Sequence, residues 1–506
     1  MECITTAKMK ELEAKNASLG LTYGEMMDHA GRHAAQVVLD RYAPVGKRVL
    51  ALCGRGNNGG DGLVSALALA RAGAAVAAAL PLGEPATPQA KEALARLEEY
   101  GAVPVTTQPE EIFRAIAGAD LILDCLFGTG FGGEVSPQVR RLMEAVDHSG
   151  ARVVSYDVPS GVEADTGRYD CCIHSHLTIA FQALKPAHLT HWRGEYQEEV
   201  TVVPIGTPPE ALSGFDGMLP VLDRAYFASH RPRRSATGHK GSNGTLTVVA
   251  GSREYRGAAA LACQAALRAG VGYVRLVSVE EVCALTLART PEVVCTVCPQ
   301  TPDGALSPKG RDRILAAVEQ ADAVLLGCGL GRGPGTAEVV GEVLRAAAVP
   351  VVADADALNT LSQNLTLFKE TKAPLILTPH PGEFSRLFGP HIHEVVHNPV
   401  HWAQTIAKEY AVTLLLKGPY SVVCDPEGRA MASFLGSSGL ARAGSGDALA
   451  GLVGAMAARG LSPMEAAACG LYLHGRCAEL AAEAWTQESM LPSDLCAMLP
   501  QVFREV

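Results

Sequence analysis

The chain has 506 residues, 48% of them hydrophobic and 19% charged, with a formal net charge of −10. This length allows two to four domains, the composition excludes a disordered chain, and the acidity argues against nucleic acid or an anionic membrane as partner. Fourteen cysteines fall without paired spacing, a usage that fits a reducing cytosol. Residues near the start, including Lys8, Lys10, Glu11 and Glu13, contain no apolar signal core, so a cytoplasmic protein is expected.

Residues 8–40 have the pattern of amphipathic helices, with Met26, Met27, Ala30 and Ala34 on one face. A strand up to Cys53 then runs into Gly54-Arg55-Gly56-Asn57-Asn58-Gly59-Gly60-Asp61-Gly62, after which a helix is expected. Strand, glycine-rich loop and helix form the phosphate cradle of doubly wound sheets. The two asparagines and Asp61 add side-chain oxygens, which suit a hard cation or a sugar hydroxyl. The apolar run from Leu63 to Leu82 is broken by Arg71 and Gly73, so it is expected as helix, turn and buried strand, with no membrane span. A second strand, Leu121–Phe127, ends in Gly128-Thr129-Gly130-Phe131-Gly132-Gly133-Glu134. A third, Ala151–Asp157, ends in Val158-Pro159-Ser160-Gly161. Asp124 and Asp157 could each cap a following helix, but polar residues at three strand ends point to a ligand site at one sheet edge. Further strands are expected at Thr178–Phe181 and Val200–Val203, with Lys185 between them. His174, His176, His188 and His191 match no metal-ligand spacing and are expected as surface or loop histidines.

Three ordered motifs, Gly-Asn-Asn-Gly-Gly-Asp-Gly, Asp-x-x-x-Gly-Thr-Gly and Asp-Val-Pro-Ser-Gly, resemble the NAD(P)H-hydrate epimerase family over residues 8–206. The resemblance implies a Rossmann-like domain, placed at 1–210, that interconverts the R and S forms of hydrated NADH and NADPH. It implies that Asn57, Asn58, Gly59, Gly60 and Asp61, with Gly128, Thr129, Gly130, Phe131, Gly132, Gly133 and Glu134, hold the hydrated dinucleotide. Asn58, Asp124 and Ser160 would ligate potassium, and Asp157 would be the acid/base at the nicotinamide ring.

Residues 211–235, rich in Pro and Gly and ending in Arg231-Pro232-Arg233-Arg234, are expected as a linker and lead-in whose basic run is solvated. The second half, 236–506, again alternates strands with helices. Its strands open onto Gly327-Cys328-Gly329, Asp354-Ala355-Asp356, Thr378-Pro379-His380-Pro381-Gly382-Glu383 and Lys417-Gly418. Cys295 and Cys298 form a lone C-x-x-C in an alternating run, expected as buried or strand thiols. The chain is organised around Ala441–Gly451, a glycine-rich turn entering an Ala/Leu-rich helix. Unpaired first-turn N–H groups and the helix dipole make such a turn an anion site, and Gly444 and Gly446 permit close backbone approach. Asp447 would repel a bound phosphate, which favours a proton-accepting role over a plain helix cap.

This order resembles the ADP/ATP-dependent NAD(P)H-hydrate dehydratase family, a ribokinase-like α/β fold, over residues 223–506. The resemblance implies phosphorylation of the hydrated ring's hydroxyl and elimination of phosphate. Asp447 would be the base, and Ala258, Gly329 and His380 would contact substrate, His380 being preferred in this role to a loop histidine bonded to backbone. Lys417, Gly418, Pro419, Tyr420 and Ser421, with Gly444, Ser445 and Gly446, would bind the adenine nucleotide with magnesium. Asp354 and Asp356 are expected to organise the loop or a magnesium through water. Cys328 stands where the family usually has Pro, and Arg442-Ala443 where an extra Thr-Gly is common; both are expected to alter loop stiffness more than chemistry. ADP is the expected donor, and a homo-oligomer is expected. The rival reading is a ribokinase-like small-molecule kinase fused to a non-catalytic nucleotide-sensing domain.

Overall fold

Long apolar strands recur between glycine-rich turns because each strand is buried on both faces, the signature of parallel α/β sheets. A computed structural model describes residues 2–189, 193–418 and 420–506, and the chain divides between Pro220 and Val221 into two compact units.

In the first unit, seven strands build one parallel sheet: β1 (Arg48–Cys53), β2 (Ala75–Ala79), β3 (Val105–Thr106), β4 (Leu121–Cys125), β5 (Arg152–Tyr156), β6 (Ser175–Phe181) and β7 (Gln197–Val203). Their order is β3-β2-β1-β4-β5-β6-β7, so the direction of winding reverses between β1 and β4. A crevice opens outside the carboxyl ends of strands at such a switch point. Two helices precede the sheet, α1 (Thr6–Ser18) and α2 (Tyr23–Tyr42). The second starts with a capping box in which Thr22 and Glu25 satisfy each other's backbone N–H groups. Its Met26, Met27, Ala30 and Ala34 are buried.

One boundary differs from expectation. The helix after β1, α3, begins at Asn57 and runs to Arg71, so the Asn-Asn-Gly-Gly-Asp-Gly stretch is helical. Its glycines serve close packing. A Cβ on Gly59 would lie 1.9 Å from the Gly54 carbonyl oxygen, and one on Gly62 would lie 2.7 Å from the Cys125 sulfur. Helix propensity favours Ala over Gly by about 1 kcal/mol, but the collision at Gly59 outweighs it. Gly59→Ala is expected to lose about 1–3 kcal/mol in urea denaturation, as overpacked sites do.

The second unit holds nine strands: β8 (Thr245–Val249), β9 (Tyr273–Ser278), β10 (Val294–Val297), β11 (Ala323–Leu326), β12 (Val351–Ala353), β13 (Leu375–Leu377), β14 (Thr413–Leu416), β15 (Ser421–Cys424) and β16 (Ala430–Ser433). They lie in the order β10-β9-β8-β11-β12-β13-β14-β15-β16, parallel up to β14, with β15 and β16 antiparallel. Helix α4 (Arg256–Arg268) and two later helices, α5 (Ser445–Ala458) and α6 (Pro463–Trp485), pack together. Gly451 makes the α4–α5 approach close, since a Cβ there would meet the Ala262 carbonyl oxygen at 2.2 Å. From Ala448 to Ala458 every residue of α5 is buried, which explains its lack of a polar face.

Residues 211–235 are divided between the units and are not one free linker. Ala211 is buried and Leu219–Pro220 pairs with Glu2–Cys3, while Leu222 and Phe227 are buried in the second core. All fourteen cysteines are free; Cys298 is buried and Cys295 lies half-buried on β10. No described helix is long and apolar enough to cross a membrane.

Candidate functional site

At the switch point of the first unit lies a cavity of about 670 Å³. Asn57, Asn58, Asp61, Gly128, Thr129, Gly130, Phe131, Gly132 and Asp157 line it, as do Glu13, Arg55 and Met26. Four expected residues do not. Gly59 and Gly60 are buried in α3, where Gly60 packs on Met27, and Gly133 and Glu134 are exposed beyond the rim. Their spacing placed them on a loop, and the early start of α3 turns the two buried glycines away from the cavity.

Behind this cavity sits a buried carboxylate without a cationic partner among the described residues. Asp124 is fully buried and accepts hydrogen bonds from the Ser160 hydroxyl at 2.5 Å, the Ser160 N–H at 2.9 Å and the Ser155 hydroxyl at 2.8 Å. Burial pushes its carboxyl up, and these donors pull it back. Asn58 donates through Nδ2 to the Phe127 carbonyl at 2.8 Å, while its Oδ1 is buried with no hydrogen-bond partner among the described residues. An orphaned amide oxygen, a carboxylate, a hydroxyl and a carbonyl thus converge, all of them hard oxygen donors. This set fits a potassium ion.

Asp157 was singled out from sequence as the acid/base candidate, and the fold gives it a partner that the motifs did not indicate. Lys185 is fully buried and its ammonium donates to Asp157 Oδ1 at 2.6 Å, the Phe181 carbonyl at 2.7 Å and the Ala183 carbonyl at 3.1 Å. Asp157 adopts a φ of +66°, a left-handed conformation costing about 1–3 kcal/mol for a residue other than glycine. Such strain collects at functional sites. His188, expected at the surface or in a loop, is also fully buried; its Nδ1 accepts from the Lys185 N–H at 2.9 Å, and burial lowers its pKa to about 3. The motif spacing carried no signal for this because the turn after β6 folds Lys185 and His188 under the sheet edge. His174 and His176 are half-buried, and His191 lies outside the described residues. Two further carboxyls face Asp157: burial, and then Asp157 itself, raises Glu13 and raises Asp61 well above the usual carboxylate range. The cavity therefore sets a carboxylate that accepts from a buried lysine beside a carboxyl that burial raises well above the usual carboxylate range, a contrast of the kind that divides acid from base.

In the second unit the carboxyl ends of β11 to β14 converge on the start of α5. Gly444, at φ +100°, precedes that helix, so Ser445, Gly446 and Asp447 form its first turn. The N–H groups of Gly446 and Asp447 have no acceptor among the described residues. The Ser445 hydroxyl does not join them: it donates to the Leu440 carbonyl at 2.7 Å and the Arg442 carbonyl at 3.0 Å, tying the turn together. Behind the turn, buried His474 on α6 contacts the Ser445 carbonyl at 3.0 Å through Nε2, and burial lowers its pKa to about 4. A neutral ring donating from Nε2 anchors the turn.

Asp447, Asp354 and Cys328 bring ligand atoms within 4.8 Å of one another. Burial, then the Asp354 charge, raise the Asp447 pKa to about 6, with the Cys328 thiol and Lys417 pulling it down. Cys328, expected to alter loop stiffness more than chemistry, touches the catalytic candidate; burial and Asp447 hold its thiol protonated, which makes it a poor magnesium ligand. The Lys417 ammonium donates to Asp354 at 3.1 Å and lies 3.9 Å from Glu383. Burial opposes its charge, but these carboxylates hold it above its ordinary value. Glu383 in turn lies 3.6 Å from His380 Nε2, so Asp447, Lys417 and His380 share one cluster.

His380 also does what was set aside for it. Its Nδ1 accepts from the N–H groups of Gly382 and Glu383 and caps the helix Pro381–Phe388, with 54% of the side chain exposed. Asp356 organises the neighbouring loop by accepting from the Gly331 N–H at 2.9 Å and from Asn359 at 3.1 Å. Asp354 accepts from Thr378 and Lys417, and with Asp447 it offers oxygen to a hydrated cation. Ala258 and Gly329 are neighbours, since a Cβ on Gly329 would lie 3.0 Å from that of Ala258. Gly418, Tyr420 and Ser421 continue from Lys417 into β15; Pro419 lies outside the described residues.

A family model described as NAD(P)H-hydrate dehydratase matches residues 246–501, and one described as YjeF-related protein N-terminus matches residues 24–187. A bifunctional NAD(P)H-hydrate repair enzyme of Moorella thermoacetica is 35% identical over 517 aligned positions, covering 100% of this chain and 97% of that one. The crystal structure of an ADP/ATP-dependent NAD(P)H-hydrate dehydratase from Bacillus subtilis, co-crystallised with ATP and Mg²⁺, superposes with a TM-score of 0.50 at 30% identity, over 57% of this chain and 98% of that one. A ribokinase-like superfamily protein from Enterococcus faecalis V583 shares the fold of the second unit, with a TM-score of 0.51 at 23% identity over 56% of this chain and 95% of that one.

Proposed function

The chain belongs to the family of bifunctional NAD(P)H-hydrate repair enzymes, and from that premise we propose how its two units divide the work. It repairs hydrated nicotinamide nucleotides, joining an epimerase to an ADP/ATP-dependent dehydratase. Epimerisation is assigned to the unit ending at Pro220 and dehydration to the unit beginning at Val221.

In the first unit Asp61 protonates the departing hydroxyl as the ring nitrogen lone pair expels it as water, and Asp157 takes a proton from the water that adds back to the opposite face of the same ring carbon. Lys185 supports this division by donating to Asp157 in a buried site, and burial supports it by raising the Asp61 carboxyl well above the usual carboxylate range. Asn58, Asp124 and Ser160 would hold potassium, which would supply a fixed positive charge opposite the buried Asp124.

In the second unit, hydroxide is a poor leaving group from the hydrated ring and phosphate is a good one. Asp447 accepts the hydroxyl proton as its oxygen attacks the terminal phosphoryl group of ADP, and AMP leaves. The N–H groups of Gly446 and Asp447 and the Lys417 ammonium stabilise the transferring charge. Magnesium bound with the nucleotide would neutralise phosphate charge. Phosphate then departs with the C–O electron pair, a proton leaves the adjacent ring carbon, and NAD(P)H is restored. Asp447 carries this reading: it is a half-buried carboxyl poised to ionise near pH 6 beside two unpaired amides and a lysine. ADP as donor, cytoplasmic location and a homo-oligomeric state are parts of the same proposal.

The test is racemic hydrated NADH with ADP and Mg²⁺, in potassium and then in sodium buffer. In potassium, complete recovery of NADH absorbance with one phosphate released per NADH is expected. In sodium, the fast phase is expected to stop after the S form. A phosphorylated product that accumulates without NADH would instead establish the plain kinase reading.

A further inference from the structure

The basic run Arg231-Pro232-Arg233-Arg234 is not simply solvated. Together with Arg268 and Arg459 its arginines line a cavity of about 620 Å³ at the carboxyl end of α4. Five guanidinium groups gather there on a chain of net charge −10, and no acidic side chain lines the cavity among the described residues.

Part of the cluster has a structural explanation. Helix carbonyls at a carboxyl end lack partners, and arginines commonly satisfy them. Arg459 donates to the Ala269 carbonyl at 3.0 Å and the Pro232 carbonyl at 2.9 Å, Arg234 to the Gly270 carbonyl at 2.9 Å, and Arg231 to the backbone oxygen of Val506 at 2.7 Å. These three fix the walls. The explanation leaves two observations unaccounted for. Arg233 and Arg268 are exposed and make no hydrogen bond or ion pair among the described residues. The Nε atoms of Arg231 and Arg459 are buried without an acceptor, a costly state for a charged donor. Burial and then the neighbouring Arg234 and Arg231 also depress the Arg459 pKa, so the like charges crowd one another.

We infer that this arginine-lined cavity is a second anion site, outside the Asp447 cluster, that takes a small phosphate-rich molecule. Guanidinium forks match phosphate oxygens bidentately, and those oxygens would supply the acceptors that the exposed Arg233 and Arg268 groups lack among the described residues. A concave space of this size holds a diphosphate and leaves Leu267 and Phe503, which also line it, for the flat face of an attached base. The chemistry is shared by free pyrophosphate and by a nucleoside diphosphate.

Calorimetric titration of the full chain with ADP and, separately, with inorganic pyrophosphate tests the assignment. Two equivalents of ADP per chain are expected. In the double variant Arg233→Gln, Arg268→Gln the second equivalent is lost, each charge being worth about tenfold in affinity, while the KM for ADP in dehydration is unchanged. The unchanged KM separates this site from the catalytic one, and the pyrophosphate titration remains readable if dehydration itself fails. Weakening of the second equivalent by salt is part of the expectation. Pyrophosphate losing an equivalent in the variant identifies phosphate as sufficient; loss for ADP alone shows that the base contributes. A single equivalent in the wild-type chain, or a second one that survives both substitutions, overturns the inference. Should the double variant not fold, Arg268→Gln alone repeats the comparison.

Discussion

Asp447→Asn is expected to lower dehydration of the S form by about 10²–10⁴-fold, the usual cost of removing a general base, and to leave the fold intact. The pH profile makes the result specific. The Asp447 pKa is raised to about 6, so kcat/KM of the wild type should climb through about pH 6 and level above it. The residual activity of the variant should lose that limb. Stability changes in the opposite sense. A carboxyl whose folded value lies above its ordinary 3.8 takes up protons on folding between 3.8 and about 6. Its contribution therefore declines as pH rises through that window, and the burden persists above it. At pH 7 the asparagine variant should consequently melt no lower than the wild type. A variant that retains activity but loses several degrees of melting temperature would reverse the assignment and make Asp447 a structural cap.

The second large effect belongs to the first unit. Lys185→Met removes a fully buried ammonium and leaves the Asp157 carboxylate without its partner, beside Asp61 and Glu13. Breaking a buried pair from one side costs about 3–5 kcal/mol, and the Phe181 and Ala183 carbonyls lose a donor as well. The first unfolding transition in denaturant should shift by that amount. Epimerisation should vanish, and dehydration of supplied S form should continue. The double variant Lys185→Met, Asp157→Asn should recover part of the stability, because no uncompensated charge remains. Additive losses in that cycle would show that Lys185 stabilises the unit through its carbonyl contacts alone.

Much of this architecture can be read along the chain. Strands buried on both faces appear as unbroken apolar runs, and each ends in glycine or polar residues, so the two largely parallel sheets and the loops at the carboxyl ends of their strands were legible. Asn58, Asp124 and Ser160 were recognisable as an oxygen set, and the fold joins them through the Phe127 backbone. The turn before Asp447 was legible because Gly444, at φ +100°, answers there to backbone conformation, the demand that the sequence pattern assumed. The same residue type misled at Gly59 and Gly60, where glycine answers to a neighbouring backbone and not to a phosphate. Local pattern cannot distinguish these two demands, since both require only a missing Cβ.

The sequence by itself determined which loops lie at the carboxyl ends of the strands and which acids stand in them, because strand periodicity and turn chemistry are local. Only the tertiary structure decided their partners and their charge. Lys185 meets Asp157 across 28 residues and Lys417 meets Asp354 across 63; Cys328 and Asp447 come together from different strand and helix ends. Burial then raises Asp447 to about 6 and Asp61 well above the usual carboxylate range. Desolvation and pairing depend on what surrounds a group in space, and the order of residues along a chain does not specify that surrounding until the sheet has closed.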